Sequence, residues 1–152
     1  MDLATGRSAG AEWTPCGPDD AELLGSLNAQ LAADEGAQLF GPRSAYIERM
    51  RGWLEQGPYE AAAARRGDDV LAYVLWRDDP DYGDIFVRQF FVSRGHRGGG
   101  LGRLLFERAA GQFWPGRPLR LDVYDSNPGA GAFWEKLGFA PYSRLMRRAA
   151  GH

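Results

Sequence analysis

The chain has 152 residues, enough for one domain with a real core and too short for two ordinary ones. Charged residues make up 25% and aromatics 12%, a globular balance rather than a disordered one. Eighteen basic residues face twenty acidic ones for a formal charge of −2, which argues against a nucleic-acid partner held on a large positive face. No apolar run approaches the roughly 20 residues of a membrane span, so no membrane partner is expected. Met1 to Trp13 carries no apolar leader core and no block of like charge. The lone Cys16 excludes an internal disulfide and a multi-cysteine metal site, and His96 and His152 alone make no metal cluster. The expectation is therefore no metal, an inert thiol and a cytoplasmic location. Seventeen of the eighteen basic residues are Arg, so a single Arg carries little information.

The expected organisation is a flexible arm over 1–12, one domain over 13–148 and a tail over 149–152. Pro18-Asp19-Asp20 offers a helix start. Leu23, Leu24, Leu27 and Leu31 recur at helical spacing, so Asp19 to about Asp34 reads as an amphipathic helix closed by Gly36. Ser44 is the N-cap candidate of a second helix running to about Gln56, with Ile47, Met50, Trp53 and Leu54 as its stripe. The period then changes. Tyr59–Arg65 and Val70–Trp76, joined through Gly67-Asp68-Asp69, predict an antiparallel hairpin. Asp84–Ser93 is the next strand. A helix is predicted from the glycines after it to about Trp114, then a strand over Leu119–Tyr124. Asn127-Pro128 opens a short helix to Leu137, and Phe139–Met146 reads as a last strand. The fold class is α/β with a mixed sheet: an antiparallel meander, then strand, glycine loop, helix, strand, helix, strand.

The junction Arg94-Gly95-His96-Arg97-Gly98-Gly99-Gly100-Leu101-Gly102 carries the most chemistry. Glycines at 98, 99, 100 and 102 let backbone approach a ligand without side chains in the way. The helix that follows presents unpaired N–H groups and the positive end of its dipole, a ready site for phosphate. A plain flexible turn is the competing reading. The nucleoside-triphosphate loop fails, because Leu101-Gly102 stand where Lys and a hydroxyl residue are needed. The dinucleotide fingerprint is the runner-up: Arg103 stands where its third glycine belongs, and Asp122 lies about 20 residues on but inside the strand rather than at its end.

Arg97-Gly98-Gly99-Gly100-Leu101-Gly102 resembles the Arg/Gln-x-x-Gly-x-Gly/Ala loop of the GNAT superfamily of N-acetyltransferases. Asn127-Pro128-Gly129-Ala130-Gly131-Ala132-Phe133-Trp134-Glu135-Lys136-Leu137-Gly138-Phe139 is similar to that family's Asn-x-x-Ala-x-x-Phe-Tyr-Glu-Lys-x-Gly-Phe segment at the same spacing. The resemblance is clear over residues 70–140 and implies a GNAT-like acyl-CoA N-acyltransferase fold. It implies acetyl-CoA as co-substrate, its pyrophosphate on the backbone of Gly98, Gly99, Gly100, Leu101, Gly102 and Arg103, with Arg97 as a further phosphate contact or a loop brace. The pantetheine arm would add as a partial strand against Phe90, Phe91 and Val92. In the family that strand carries a bulge and splays from the one after the helix.

The implied reaction is direct attack of a small-molecule or peptide primary amine on the acetyl carbon. A backbone N–H near Phe91 or Val92 would polarise the carbonyl, and Asn127 would contact CoA. An alkyl ammonium has a reference pKa near 10.4, so a base is needed. Asp122 stands five residues before Asn127, where some members carry a catalytic Glu; a salt bridge to a neighbouring Arg is its other reading. Asp34 and Glu35 are alternatives. Gln30, Glu35 and Gln89 are the expected acceptor contacts, while of Arg88 and Gln89 alternation sends one to solvent. Trp134 replaces the family's Tyr and its indole does not titrate, so either the thiolate leaves unassisted or Tyr124, Tyr142 or water protonates it, and Trp134 would pack on pantetheine. The resemblance allows a homodimer. The alternatives are a non-catalytic acyl-CoA-binding module and a nucleotide-binding oxidoreductase fragment.

Overall fold

A computed structural model describes residues 8–34 and 41–151. The chain divides into two compact units, up to residue 121 and from residue 122 onward. The first unit is built on strands β1 (Glu12–Cys16), β2 (Tyr59–Arg66), β3 (Asp69–Asp79), β4 (Asp84–Val92) and β5 (Leu119–Arg120). Its helices are α1 (Ala21–Asp34), α2 (Arg43–Glu55) and α3 (Leu101–Phe113). The second unit holds α4 (Pro128–Lys136). The sheet runs β1-β2-β3-β4-β5, antiparallel up to β4, with β5 parallel to β4. This is the mixed α/β architecture that the alternation of patterns predicts.

β1 has no counterpart in the sequence reading, which places residues 8–12 in an arm. Ser8 is buried, Ala11 N–H donates to the Ser8 carbonyl, and Glu12 opens the strand. Pro15 obscures the pattern; it is tolerated because β1 lies at the sheet edge. Trp13 fixes the strand from below: its ring is buried and its indole N–H donates to the Leu105 carbonyl of α3 at 2.9 Å. β2 is unusual in having four buried alanines, Ala61–Ala64. Alanine is a poor strand former by itself, and here strands on both sides hold it extended.

The sheet is covered on both faces. Ala21, Leu24 and Met50 of α1 and α2 pack with Ala61, Tyr73, Leu75 and Phe91 on one face. On the other face the alternate residues meet α3 and its C-cap: Trp76 stacks on Phe113 and meets Trp114 edge-on, and Phe90 meets Phe106 edge-on. α1 starts where Asp20 accepts the Gly17 N–H at 2.9 Å. α2 starts one residue before the expected cap: Pro42 precedes it and Ser44 lies inside its first turn, without a side-chain cap.

Two strand expectations need correction. Leu119–Tyr124 is a strand only over Leu119–Arg120, which pair with Ile85 and Phe86. The ladder stops just short of a bulge in β4, where the strand bends. Phe139–Met146 forms no strand: Leu145 and Met146 are adjacent apolar residues rather than alternating ones, and no ladder partner is present among the described residues. α4 agrees with expectation.

Gly25 sets the approach of α1 to α2. A Cβ there would lie 2.5 Å from Ile47 Cα and 2.8 Å from Ile47 N. Alanine in a helix interior ordinarily gains up to about 1 kcal/mol over glycine. Here backbone must move, and overpacking of that kind costs about 1–3 kcal/mol. The clash wins: Gly25→Ala is expected to lower the denaturant midpoint, and Gly25→Val to lower it further, measured by urea unfolding; an unchanged or raised midpoint for Ala contradicts the close crossing.

Candidate functional site

β4 contains one residue more than β3 can match. Leu75 pairs with Gln89 and Trp76 with Val87, so Arg88 is the extra residue. Of the two, Arg88 is the exposed one and Gln89 is part-buried, as expected, but the bulge alters which face they reach. Strict alternation would put them on opposite faces. Instead both reach residues of the α1/α2 face. Gln89 accepts from the Tyr73 hydroxyl at 2.9 Å and donates to Asn28 of α1 at 3.4 Å. Arg88 lies over the Trp53 ring of α2 at 4.6 Å and donates to the Tyr59 hydroxyl at 3.2 Å.

A chain of polar contacts runs through this half of the unit. Arg49 donates to Asn28 Oδ1 at 2.9 Å, so Asn28 receives both Arg49 and Gln89. Burial pushes the Tyr73 phenol up, the nearby Arg49 opposing it, so the hydroxyl remains a donor. Burial, and then the like charge of Arg88, hold the Arg49 guanidinium below its ordinary value. Gln89 is thus oriented by neighbours on two elements. Gln30 lies half-buried on α1. Glu35 lies outside the described residues.

From Val87 to Val92, β3 is the strand that pairs with β4 among the described residues, because β5 ends at Arg120. Phe91 is buried and stacked on Tyr73, Phe90 packs on α3, and Val92 is half-buried at the strand's end. The chain then makes one tight turn, Arg94–His96, and reaches the glycines. Gly98, Gly99 and Gly100 adopt φ of 88°, 65° and 81°, the left-handed region. Three such residues in succession are accessible to glycine and costly for anything with a Cβ. Gly100 immediately precedes α3, and no side chain caps that helix. Of the first-turn N–H groups of α3, that of Leu101 donates to the Gly98 carbonyl at 3.4 Å, while those of Gly102 and Arg103 lie next to the exposed loop at the positive end of the helix.

Arg97 braces this loop. Its Nε donates to the Val92 carbonyl at 2.8 Å and its Nη1 to Asp34 at 3.2 Å, and the guanidinium lies 5.4 Å from the Phe91 ring centre. Asp34 also accepts from Arg94. The Arg94 hydrogen bond, then its charge, and then Arg97 hold the Asp34 carboxyl below the ordinary carboxylate range. That makes Asp34 a tether of α1 to the loop and a poor proton acceptor. His96 lies 3.1 Å from Asp69, on the side of the β2–β3 turn. Cys16 is half-buried, and burial pushes its thiol up, as suits an unreactive cysteine.

Asp122, Tyr124, Asn127 and Trp134 belong to the second unit. Asp122 and Tyr124 are exposed and lie beyond the end of β5. Asn127 is the N-cap of α4, accepting from the Ala130 N–H at 3.1 Å. The sequence reading places Asn127 both on CoA and, with Pro128, at the start of a helix, and the cap fits the second of these. Trp134 packs edge-on against Phe133 and Phe139, with ring centres 4.8 and 5.4 Å away. Tyr142 is exposed. Among the described residues, no group of three His, Cys, Asp or Glu side chains could hold a metal ion. No described helix is long and apolar enough to cross a membrane.

Known structures share this fold. A possible acetyltransferase from Clostridium difficile 630 aligns with a TM-score of 0.72 at 19% identity, over 91% of this chain and 96% of that one. An acetyltransferase from Thermus thermophilus gives 0.70 at 25% identity, over 86% of each chain. A ribosomal-protein-alanine N-acetyltransferase from Brucella melitensis biovar Abortus 2308 gives 0.65 at 22% identity, over 91% of this chain and 99% of that one. Comparison with curated protein sequences finds no match. The profile of the acetyltransferase (GNAT) family matches residues 22–139, which span α1, the bulged strand, the glycine turn and α4. The chain belongs to the GNAT acetyltransferase family, enzymes that transfer an acyl group from acyl-CoA.

Proposed function

We propose that the protein transfers the acetyl group of acetyl-CoA to a primary amine of a small molecule or peptide, by direct attack within a ternary complex. The observation that carries this reading is the exposed, left-handed Gly98–Gly100 turn feeding the uncapped start of α3. A diphosphate there would accept from backbone N–H groups and complement the helix dipole. The second support is the outer end of β4, where pantetheine can extend the ladder beside Phe90 and Phe91. Arg97 already occupies the Val92 carbonyl, so the contacts proposed for the arm there fall to the N–H side and to the residues before it.

In the reaction, a β4 N–H near Phe91 or Val92 polarises the thioester carbonyl and receives the developing oxyanion. The amine must shed a proton before or during attack. Asp122 is the proposed acceptor, directly or through water, since Asp34 is engaged by two arginines. The carbon–sulfur bond breaks and CoA leaves as a thiolate. Trp134 cannot protonate it, and Tyr124 or water is proposed for that step. A thiol with pKa near 8.5 is a fair leaving group even without help. The proposed setting is a cytoplasmic enzyme, without a metal, that meets neither nucleic acid nor membrane and pairs as a homodimer. Asn127 and Trp134 are proposed to face CoA, Asn127 through the amide nitrogen its cap leaves unused.

Titration calorimetry with acetyl-CoA and with NAD separates this reading from an oxidoreductase fragment: acetyl-CoA is expected to bind at micromolar levels and NAD not. Following free thiol across a panel of amines separates it from a non-catalytic binding module. Gly100→Val forces a β-branched residue into a left-handed conformation costing about 1–3 kcal/mol, and it places methyl groups in the phosphate's path. CoA affinity is expected to fall roughly tenfold or more, and likewise for Gly102→Val. Unchanged calorimetric affinity removes the loop from the mechanism.

Arg97→Ala and Arg97→Lys are both expected to weaken CoA binding, because lysine cannot hold the Val92 carbonyl and Asp34 with one planar fork. The Asp34 tether has a defined pH window. A folded-state carboxyl held low contributes its contact above the unfolded pKa of about 3.9 and loses it as pH falls through the folded value. CoA affinity is therefore expected to show no inflection from this tether at neutral pH. Rising salt should weaken the same contact, since it is exposed. Calorimetry across pH and ionic strength checks both.

A further inference from the structure

We infer that the acceptor amine carries an oxyanion, a carboxylate or a phosphate, gripped by Arg88 and Arg49 beside Trp53. The inference rests on the acetyl-transfer reading for the identity of the acceptor, and on separate side chains for its charge.

Both guanidiniums approach one indole. Arg88 lies 4.6 Å and Arg49 4.7 Å from the Trp53 ring centre. Tyr59 and Tyr46 extend the aromatic wall, at 5.7 Å from Arg88 and 5.4 Å from Arg49. One cation on an aromatic face is an ordinary brace. Two on the same ring bring like charges together, and the neighbour's charge disfavours the Arg49 cation. This happens in a chain with a net charge of −2, where carboxylates are plentiful. Arg77, Arg94, Arg97, Arg117 and Arg120 each meet an Asp. Arg88 meets none among the described residues; its hydrogen-bond partner is the Tyr59 hydroxyl. An oxyanion supplied from outside would offset the repulsion and accept from a guanidinium fork, whose geometry suits carboxylate and phosphate alike.

Arg88 is exposed, so an incoming acceptor can reach it. Arg88 is the bulge residue, followed directly by Gln89, and both face α1 and α2. Phe91 lies three residues further along the same strand, a span of about 10 Å. An acceptor held at Arg88 by its anionic end can therefore direct its amine along β4 toward the proposed carbonyl site. Asn28 and Gln89 fix the Arg49 end, so that guanidinium is oriented in advance.

The test uses the full chain with acetyl-CoA and matched acceptors: amino acids against their carboxamides, and phosphoethanolamine against ethanolamine. Thiol release is expected to give kcat/KM values about 10- to 100-fold higher for the anionic member of a pair. The first pair reads carboxylate, the second phosphate. In Arg88→Gln and Arg49→Gln that ratio is expected to collapse toward one while calorimetric acetyl-CoA affinity holds; Arg88→Lys should retain part of the ratio. Neutral acceptors used as well as anionic ones, or a ratio that survives both substitutions, overturns the inference and leaves acetyl transfer standing. Should no amine release thiol, the transfer reading fails. The charge inference is then decided by calorimetry of N-acetylamino acids against their carboxamides with CoA present. Binding of the anion alone, lost in Arg88→Gln, supports it, and equal or absent binding overturns it.

Discussion

β4 contains one residue that β3 has no partner for, and the consequences of that mismatch spread through the first unit. A strand with unbroken pleat would send Arg88 and Gln89 to opposite faces. The bulge turns both toward α1 and α2, where Gln89 joins Tyr73 and Asn28 and Arg88 meets Trp53 and Tyr59. It also bends the strand, and the parallel ladder with β5 ends at Phe86, just before it. One inserted residue therefore both populates the α1/α2 face with polar groups and leaves the outer end of β4 to pair with β3. The bulge is held from both sides: Tyr73–Phe91 stacking fixes the strand after it, and Trp76 on Phe113 fixes the partner strand opposite it.

The glycine turn depends on this placement. Three successive left-handed residues have no side chains to hold them. Besides the Leu101 N–H bond to the Gly98 carbonyl, order comes from outside: the Arg97 fork reaches back to the Val92 carbonyl and across to Asp34 at the end of α1, and Ser93 is tied to β3 through the Val70 and Leu71 carbonyls. Buried Leu101, Leu105 and Phe106 anchor α3 to the sheet. A cradle of bare backbone is useful for an anion only when such anchors set its geometry in advance. The Asp34 link is exposed and individually weak.

The periodicity of α1, α2 and α3, the hairpin and the glycine junction were all legible, because each is a local pattern. What was not legible depended on partners distant in sequence. β1 was hidden because Pro15 and Glu12 break its pattern, and its stability comes from β2 and from Trp13 reaching Leu105, 92 residues away. The bulge was implied only by resemblance. No residue in Asp-Ile-Phe-Val-Arg-Gln-Phe-Phe-Val marks which position is extra, since that is settled by register against β3. Phe139–Met146 was overread, because apolar content without alternation or a ladder partner does not make a strand. Among site residues, the glycine loop and the brace alternative for Arg97 could be read from the chain, whereas choosing the brace and finding Asp34 as tether needed distances.

Replacement of the family's Tyr by Trp134 changes what the rest of the chain must supply. A phenol can give its proton to a departing thiolate; an indole N–H can only donate a hydrogen bond. Trp134 sits instead in an aromatic contact with Phe133 and Phe139 around the end of α4. Bond breaking would then rely on the intrinsic stability of the thiolate and on stabilising charge at the carbonyl oxygen, where the proposed backbone N–H of β4 would act without any titrating group. In the proposed mechanism, deprotonation of the amine would be the step most sensitive to pH. An acceptor whose own carboxylate or phosphate is neutralised by guanidiniums helps there. Without the cations, its negative charge would raise the ammonium pKa. Pairing that charge with Arg88 and Arg49 removes the penalty, so the same two side chains that would select the acceptor would also make its nitrogen easier to deprotonate.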